Sequence, residues 1–242
     1  MHTPAAQALG RDAIGAILDG VYIPDHFRPA DDDVAELLAH IAAAELVTAT
    51  ADGLLATMLP LIHQPPDPSA PESGEHGRLM GHVARNNRQW KVPPIGDAMV
   101  IVRGPDAYIS PGWYATKREH GRVVPTWNYI TAHIHGRLVI HDDPAWIEVN
   151  VRALTARHEA ARPHPWAVDD APRPYIDGQL KAIVGVEILI SRIEAKFKLS
   201  QNRSTDDIDG AIAGLEAGPA VGHPMADAMR LSRGAPLTRR SR

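Results

Sequence analysis

The stretch Thr126-Trp-Asn-Tyr-Ile-Thr-Ala-His-Ile-His-Gly-Arg-Leu-Val-Ile-His141 alternates in polarity over an unusually long span. One face forms an apolar stripe, as in a β-strand packed on a core, and consists of Ile130, Ala132, Ile134, Leu138 and Ile140. Gly136 interrupts that face and predicts a bulge or a sharp bend. Strands usually run ~5–6 residues, so we expect one this long to curl around a barrel.

The opposite face of this strand carries aromatic and histidine side chains, including Trp127, Tyr129, His133 and His135. Such a face can stack a flat ring system, fill a subunit interface, or form a second ordinary core. His133 and His135 share a face, as two metal ligands would. No carboxylate joins them at motif spacing, so we do not predict a metal site.

A second alternating stretch begins near Ser191 and ends in Ser-Gln-Asn-Arg at residues 200–203. Its basic face is predicted to carry Arg192, Glu194, Lys196, Lys198 and Ser200, opposite Ile193, Ala195, Phe197 and Leu199. The apolar phase before Ser191 is the reverse, which predicts either a bulge there or a strand that passes from core to interface. A basic face of this kind suits an anionic, phosphate-bearing ligand, or it keeps an exposed strand in solution.

The remaining segments predict further strands with appended helices. Asp52-Gly53 between two apolar runs is a hairpin signal. Helices are predicted after Asp31, Asp143 and Thr205. We therefore predict an α+β fold, an antiparallel β-barrel with appended helices. We expect one domain over residues 21–216, a poorly ordered extension over residues 1–20 and a flexible C-terminal tail over residues 217–242.

Composition excludes several classes of protein. The 242 residues include 25 basic and 29 acidic side chains, a net charge of −4, so binding of nucleic acid is not supported. The absence of cysteine excludes disulfides and thiolate metal sites, and it suits a cytoplasmic protein. The sequence contains no apolar run of transmembrane length. It also lacks a dinucleotide fingerprint, a Walker loop, a nucleophile elbow and a recognisable helix-turn-helix.

A short segment, Gly81-His82-Val83-Ala84-Arg85-Asn86-Asn87, ends one predicted strand and opens a turn. Arg85 and Asn86 supply donors for phosphate or carbonyl groups. His82 suits a ring contact, an axial haem ligand or an ordinary hydrogen-bonded histidine. We expect this turn to converge with the basic strand on one planar, anionic ligand.

Several ordered motifs together carry a resemblance to a known family. They are Tyr22-Ile23-Pro24-x-His26-Phe27, Gly81-His82-x-Ala84-Arg85-Asn86, Val124-Pro125-Thr126-Trp127-Asn128-Tyr129 and Lys196-x-Lys198-Leu199-Ser200-Gln201-Asn202-Arg203. On these motifs the chain resembles the PaiB family, FMN-binding negative transcriptional regulators, over roughly residues 21–216. The resemblance implies the split-barrel flavin-binding fold, FMN as cofactor, and a homodimer with ligand sites at its interface.

From residue chemistry we predict that Arg85, Lys196, Lys198 or Ser200 holds the FMN phosphate, with the ring near Trp127 and Tyr129. The full candidate set of cofactor-binding residues is His82, Arg85, Asn86, Trp127, Asn128, Tyr129, Lys196, Lys198, Ser200 and Gln201. We identify no catalytic residue.

Two other functions stay open. The fold that the resemblance implies also occurs in flavin oxidoreductases, and the family is similar to piperazate synthases, which use haem to close an N–N bond. In that case the cofactor is haem b and His82 is the candidate axial ligand. The other alternative is a cofactor-free binding or interaction domain.

Two details depart from the usual family pattern. Many relatives have Thr-His-Leu-Pro where this chain has Thr57-Met58-Leu59-Pro60, and Met58 neither donates a hydrogen bond nor ligates as histidine does. Relatives commonly begin at Met-Tyr-Ile-Pro, which aligns with Val21-Tyr22-Ile23-Pro24. We therefore hypothesise that translation starts at residue 21. The intact mass of the natively expressed protein tests this, because detection of residues 1–20 contradicts it.

Overall fold

The computed structural model describes residues 20–69, 75–218 and 222–234. Within these residues, six antiparallel strands close into a barrel in the spatial order β1-β2-β3-β6-β5-β4, and β4 pairs back onto β1. The strands are β1 Ala43–Thr50, β2 Gly53–Gln64, β3 Arg78–Ala84, β4 Ala98–Ile109, β5 Thr126–His141 and β6 Ile183–Lys198. The predicted α+β fold with an antiparallel barrel is thus confirmed.

Helices cover the outside and one end of this barrel. They are α1 Asp31–Ala39, α2 Thr116–His120, α3 Pro144–Glu159, α4 Arg173–Leu180, α5 Thr205–Glu216 and α6 Pro224–Gly234. Helix α3 begins where expected, because the Asp143 carboxylate accepts hydrogen bonds from the backbone N–H groups of Ala145 and Trp146. In the part of the chain that the structure describes, no helix is both long enough and apolar enough to span a bilayer.

The long strands β5 and β6 pair along most of their lengths and line the barrel interior. The register steps from His135 opposite Arg192 to Gly136 opposite Ile190, which leaves Ser191 without a partner in the ladder. A Cβ atom at Gly136 would lie 2.3 Å from the Leu189 carbonyl oxygen, so only glycine fits this close approach. The bulge predicted near Gly136 and Ser191 is therefore confirmed, and it explains the reversal of the apolar phase along β6.

Two sequence-based boundaries differ from the structure. The apolar run at residues 98–102 and the short run at 108–110 predict two separate strands, but one strand, β4, spans residues 98–109, with an irregular register between Arg103 and Asp106. The predicted tail over residues 217–242 is wrong for residues 224–234, where α6 packs on the barrel. Met225 and Met229 of α6 are fully buried in one cluster with Ile109 and Ile212. The sequence gives no clear helical pattern here, because the segment is short and is flanked by glycine and proline.

The helices α5 and α6 form a second apolar cluster over the ends of β4, β5 and β6. In this cluster Trp113 lies so close to α5 that a Cβ atom at Gly214 would sit 2.2 Å from its ring. The buried Asp207 carboxylate of α5 accepts hydrogen bonds from the backbone N–H and hydroxyl of Thr116. These contacts fix the segment before β5 against the end of the barrel where the basic stretch of β6 ends.

Candidate functional site

Three cationic side chains lie together at the C-terminal end of β6: Lys196, Lys198 and Arg203, which we call the cationic cluster. The Lys196 ammonium lies 5.6 Å from the ring centroid of Tyr22 and 5.7 Å from that of Tyr129. Among the described residues, no carboxylate forms an ion pair with any member of the cluster. Three cations without a counter-charge favour an anionic ligand.

Lys198 is the most constrained member of the cluster. Its ammonium donates to the Thr126 hydroxyl and to the Trp127 carbonyl oxygen, which leaves one of its three N–H groups for a ligand. Burial lowers the pKa of Lys198, and the neighbouring charges of Lys196 and Arg203 lower it further. A bound anion would oppose both effects and favour the charged form.

Ser200 does not lie on the basic face where the alternation predicts it, and the Gln201 side chain is hydrogen-bonded within the protein. Strand β6 ends at Lys198, and the chain then turns, with Ser200 in the left-handed region at a φ of 69°. Ser200 is buried, so it does not continue the basic face, and its hydroxyl hydrogen-bonds the side-chain amide of Asn128. Gln201 donates to the Phe197 carbonyl and accepts from the backbone N–H of Leu199, so both ends of its amide stabilise the turn.

The aromatic face of β5 lies where the alternation predicts it. Trp127 is 51% exposed, and its indole N–H donates to Asp106 at 2.8 Å. Tyr108 packs edge-on against Trp127, with 6.2 Å between their ring centroids. Asn128 points the other way, is fully buried, and contacts Ser200 and the Met229 sulphur. Trp127 is therefore open to a flat ligand, and Tyr129 lies partly buried on the same face, with the Lys196 ammonium over its ring. Asn128 belongs to the interior beside the cationic cluster.

The other predicted segment lies at the opposite end of β6. His82 pairs with Gly185 and Ala84 with Ile183, at the start of the 16-residue strand β6. Lys196 and Lys198 of the cationic cluster lie at the other end of the same strand. Within one protomer the structure therefore does not bring His82, Arg85 and Asn86 together with the cationic cluster, contrary to the expected convergence. The sequence pattern does not predict this separation, because it does not specify which end of β6 lies beside the turn that follows β3.

His82 lies beneath helix α3, and its Nδ1 atom is 3.5 Å from the Asn150 amide nitrogen. Burial lowers the pKa of His82, so the neutral ring is favoured. The Arg85 guanidinium donates to both carboxylate oxygens of Asp142 and to the carbonyls of Lys181 and Ile183. Arg85 thus ties β3 to its neighbours, and the exposed Asn86 lies beside it.

The histidines of β5 do not form a metal centre. His135 pairs with Glu194 at 3.0 Å, and Glu194 also pairs with Arg192 at 2.8 Å. Burial lowers the pKa of His133 by more than the neighbouring Glu194 raises it. Across residues 20–69, 75–218 and 222–234, no group of three or more histidine, aspartate or glutamate side chains is arranged to hold a metal ion.

A cavity of about 180 Å³ opens beside Lys198 and adds residues that sequence reasoning missed. Its lining includes Tyr114, Thr126 and Arg203, together with the predicted Asn128 and Ser200. Arg203 ends the motif that begins at Lys196, so its position in that motif was a usable signal. Tyr114 lies in the segment that connects β4 to β5 in the sequence, and it packs against α5 where it lines the cavity.

Comparison with known proteins gives consistent results. Residues 21–192 match the family described as "Putative FMN-binding domain". The chain is 31% identical over 199 residues to protease synthase and sporulation protein PAI 2 of Bacillus subtilis, covering 81% of this chain and 89% of the relative. It is 33% identical over 178 residues to an uncharacterised protein of Emericella nidulans, covering 61% of this chain and 71% of the relative.

Solved structures agree with the fold. The FAD and haem binding protein of Mycobacterium smegmatis superposes with a TM-score of 0.51 at 15% identity, covering 77% of this chain and 80% of that chain. A conserved hypothetical protein of Mycobacterium tuberculosis superposes with a TM-score of 0.50 at 12% identity, covering 75% of this chain and 92% of that chain. At these identities the likeness establishes the split-barrel fold alone.

Proposed function

The chain belongs to the PaiB family of FMN-binding-domain proteins, and from that premise we propose that it binds FMN at the cationic cluster. The observation that carries the proposal is the set of three cations at the end of β6, Lys196, Lys198 and Arg203, with no carboxylate partner among the described residues. The phosphate of FMN supplies the missing negative charge and accepts several charge-assisted hydrogen bonds.

The aromatic side chains beside the cluster support a place for the flavin ring. Tyr129 is opposite Lys198 in the β5–β6 ladder, and the exposed Trp127 lies two residues away on the same face. A flat ring system gains area and stacking geometry from such side chains without a deep pocket. When bound, FMN supplies hydride and electron-transfer chemistry, while these residues bind and orient it.

We propose that the protein is a homodimer formed through an exposed apolar patch on β1 and β2. The patch consists of the outward-facing Leu54, Ala56, Met58 and Pro60 of β2 with the adjacent Val47 of β1. Met58 is 71% exposed in the single chain, which suits a thioether that packs at an interface better than a hydrogen-bonding role.

The position of the patch supports a second copy of this chain as its occupant. A row of cross-strand pairs connects Met58 to the cationic cluster. Met58 pairs with Glu45, Glu45 with Ile101, Ile101 with His133, and His133 with Glu194, which lies beside the cluster. A copy seated on the patch would therefore border the proposed flavin site, as the family resemblance implies. This row of outward-facing residues supports the proposal that the subunit interface and the ligand site are connected along the barrel surface.

The flavin proposal is tested on the purified protein. We expect a two-band flavin spectrum and FMN by mass, or uptake of added FMN; a sharp Soret band would instead identify haem. Lys198→Gln should weaken FMN binding about 10- to 100-fold, because a hydrogen bond to a charged group contributes about 1.5–3 kcal/mol. The matched control is Lys181→Gln, at an exposed lysine beyond the other end of β6. Equal affinity in the two variants would contradict the proposal.

The dimer proposal has its own test in sedimentation velocity. Met58→Asp should convert the dimer to a monomer, because it places a charge in the apolar patch. Leu231→Asp, at an 80% exposed leucine of α6, should leave the dimer intact. A wild-type monomer at micromolar concentration, or a dimeric Met58→Asp variant, would overturn the proposed interface.

We propose that PaiB-type regulation by this chain is indirect and cytoplasmic, acting through the flavin or a partner protein. The net charge of −4 supports this, since strong DNA binding needs a basic surface. Titration of the gene's upstream region and of a random duplex at several salt concentrations tests the proposal. We expect equally weak binding to both, whereas tight binding to the upstream region alone would contradict it.

A further inference from the structure

Residues 21–24, which we call the strap, lie alongside the outer face of β6. The backbone N–H of Val21 donates to the Glu194 carboxylate at 3.1 Å, and the carbonyl oxygen of Tyr22 accepts from the Lys196 ammonium at 3.0 Å. Within the part of the chain that the structure describes, these two hydrogen bonds are the ones that tie the strap to the barrel. Two bonds to side chains are a weak hold, which is typical of segments that open locally.

Phe27 anchors the chain directly after the strap. It is 7% exposed and ends a short 3₁₀ turn, Asp25–Phe27, in which its backbone N–H donates to the Pro24 carbonyl oxygen at 2.8 Å. The Lys196 and Lys198 ammonium groups each lie 6.0 Å from the centre of its ring. Pro24 has a restricted backbone torsion, which makes the start of this turn rigid. Motion of the strap therefore has a fixed pivot beside the proposed flavin site.

The carboxylate that receives the strap is itself held in place. Glu194 pairs with His135 at 3.0 Å and with Arg192 at 2.8 Å, and its side chain is 12% exposed. When the Val21 N–H leaves, Glu194 keeps both of these partners, so opening of the strap leaves no unpaired buried charge. Glu194 is therefore a docking point from which the strap can detach and to which it can return.

Tyr22 combines a positioned backbone with an unconstrained ring. Hydrogen bonds hold the chain at the Val21 N–H and at the Tyr22 carbonyl, yet the Tyr22 side chain is 81% exposed. Its ring lies 5.6 Å from the Lys196 ammonium, which also lies 5.7 Å from the ring of Tyr129. Tyr22 therefore lies beside the aromatic face that the proposed function assigns to the flavin. A tyrosine offers a large flat surface at a small cost in conformational entropy.

Lys196 connects the strap to a bound anion. An ammonium group donates three hydrogen bonds, and one of them goes to the Tyr22 carbonyl oxygen, so a ligand can accept another while the strap stays in place. A ligand that fixes the ammonium removes part of the freedom that closure of the strap costs, so binding and closure favour each other. We propose that the strap is a lid that closes over bound flavin, with Lys196 as its latch and Tyr22 covering the flavin ring. This inference rests on the proposed function.

The reactivity of a single thiol tests closure. The chain contains no cysteine, so Ile23→Cys places one thiol at a half-buried position of the strap. We expect its reaction with Ellman's reagent to slow at least about 5-fold in saturating FMN, the lower end of typical coupling between two sites. Leu231→Cys, at an 80% exposed position of α6, is the control and should react at one rate with and without FMN. An unchanged or faster reaction of Ile23→Cys in FMN contradicts closure.

Replacement of Tyr22 tests the covering role of its ring. Tyr22→Ala removes an exposed ring and keeps both backbone hydrogen bonds, so we expect an intact fold. FMN should dissociate about 2- to 10-fold faster, the effect of one aromatic contact, with little change in the association rate. Stopped-flow flavin fluorescence measures both rates. Tyr175→Ala, at a 60% exposed tyrosine of α4, is the matched control and should behave like the wild type.

The outcomes separate this inference from the proposed function. If the wild type binds FMN, but FMN changes neither the thiol reactivity of Ile23→Cys nor its own dissociation from Tyr22→Ala, the lid is wrong and the proposed function stands. If FMN slows the thiol reaction and Tyr22→Ala releases FMN at the wild-type rate, the lid stands and the covering role of Tyr22 is wrong. A wild type that binds no FMN overturns both the proposed function and the lid.

Discussion

Replacement of Met229 by alanine tests whether helix α6 is part of the folded core behind the proposed site. Met229 is completely buried, and its sulphur lies 3.5 Å from the Asn128 amide nitrogen. The substitution removes three buried heavy atoms, which at about 0.8 kcal/mol per methylene-sized group gives about 2.4 kcal/mol of lost transfer free energy. The cavity left behind raises the expected loss in the free energy of unfolding to about 3–4 kcal/mol.

Urea unfolding followed by circular dichroism measures this loss. With an m-value of about 2 kcal/mol/M, the midpoint should fall by about 1.5–2 M. Leu231→Ala lies on the same helix but is 80% exposed, so its effect should stay within about 0.5 kcal/mol. If Met229→Ala and Leu231→Ala unfold at the same midpoint, α6 does not pack on the barrel in solution and residues 217–242 form the tail that the sequence predicted.

Three further predictions concern packing and protonation. Gly185→Ala should lower the free energy of unfolding by about 1–3 kcal/mol, because a Cβ atom there would lie 2.4 Å from the Trp146 ring. Thermal unfolding measures this loss. An unchanged melting temperature would contradict the packing of α3 on the barrel. The pKa of His82 is lowered in the folded state, so the unfolded chain binds more protons and stability is lost as pH falls below about 6.5. His82→Gln should flatten that loss in urea unfolding between about pH 5 and pH 7.5, and an identical slope would refute the buried, neutral His82 beside Asn150. The pKa of Lys198 lies below its ordinary value of 10.5, so this lysine loses its charge at a lower pH than an ordinary lysine. The affinity for the FMN phosphate should therefore decrease as the pH rises into that range. In calorimetric titrations Lys198→Arg should remove this decrease, because arginine stays charged.

Local patterns in the sequence predicted the strands and the bulge. The alternation around Ile134, the glycine at 136 and the change of phase at Ser191 are properties of neighbouring residues, and side chains alternate in a strand whatever lies beyond it. For the same reason the outward position of Trp127 and of Tyr129 followed directly from residue spacing. Sequence motifs alone also placed the chain in its family, because long ordered motifs are specific.

Only the tertiary structure determined which of these residues meet. It separated Arg85 from Lys198 by placing them at opposite ends of β6, and it gave Arg85 a carboxylate partner in Asp142. It also brought Tyr114 against Arg203, an approach that depends on the packing of α5 and α6 over the barrel end. Contacts between residues distant in sequence depend on how helices close over a sheet, and no local periodicity encodes that closure. The sequence therefore determined the basic strand, and the fold determined that Lys198 at its end lies with Arg203 beside one cavity.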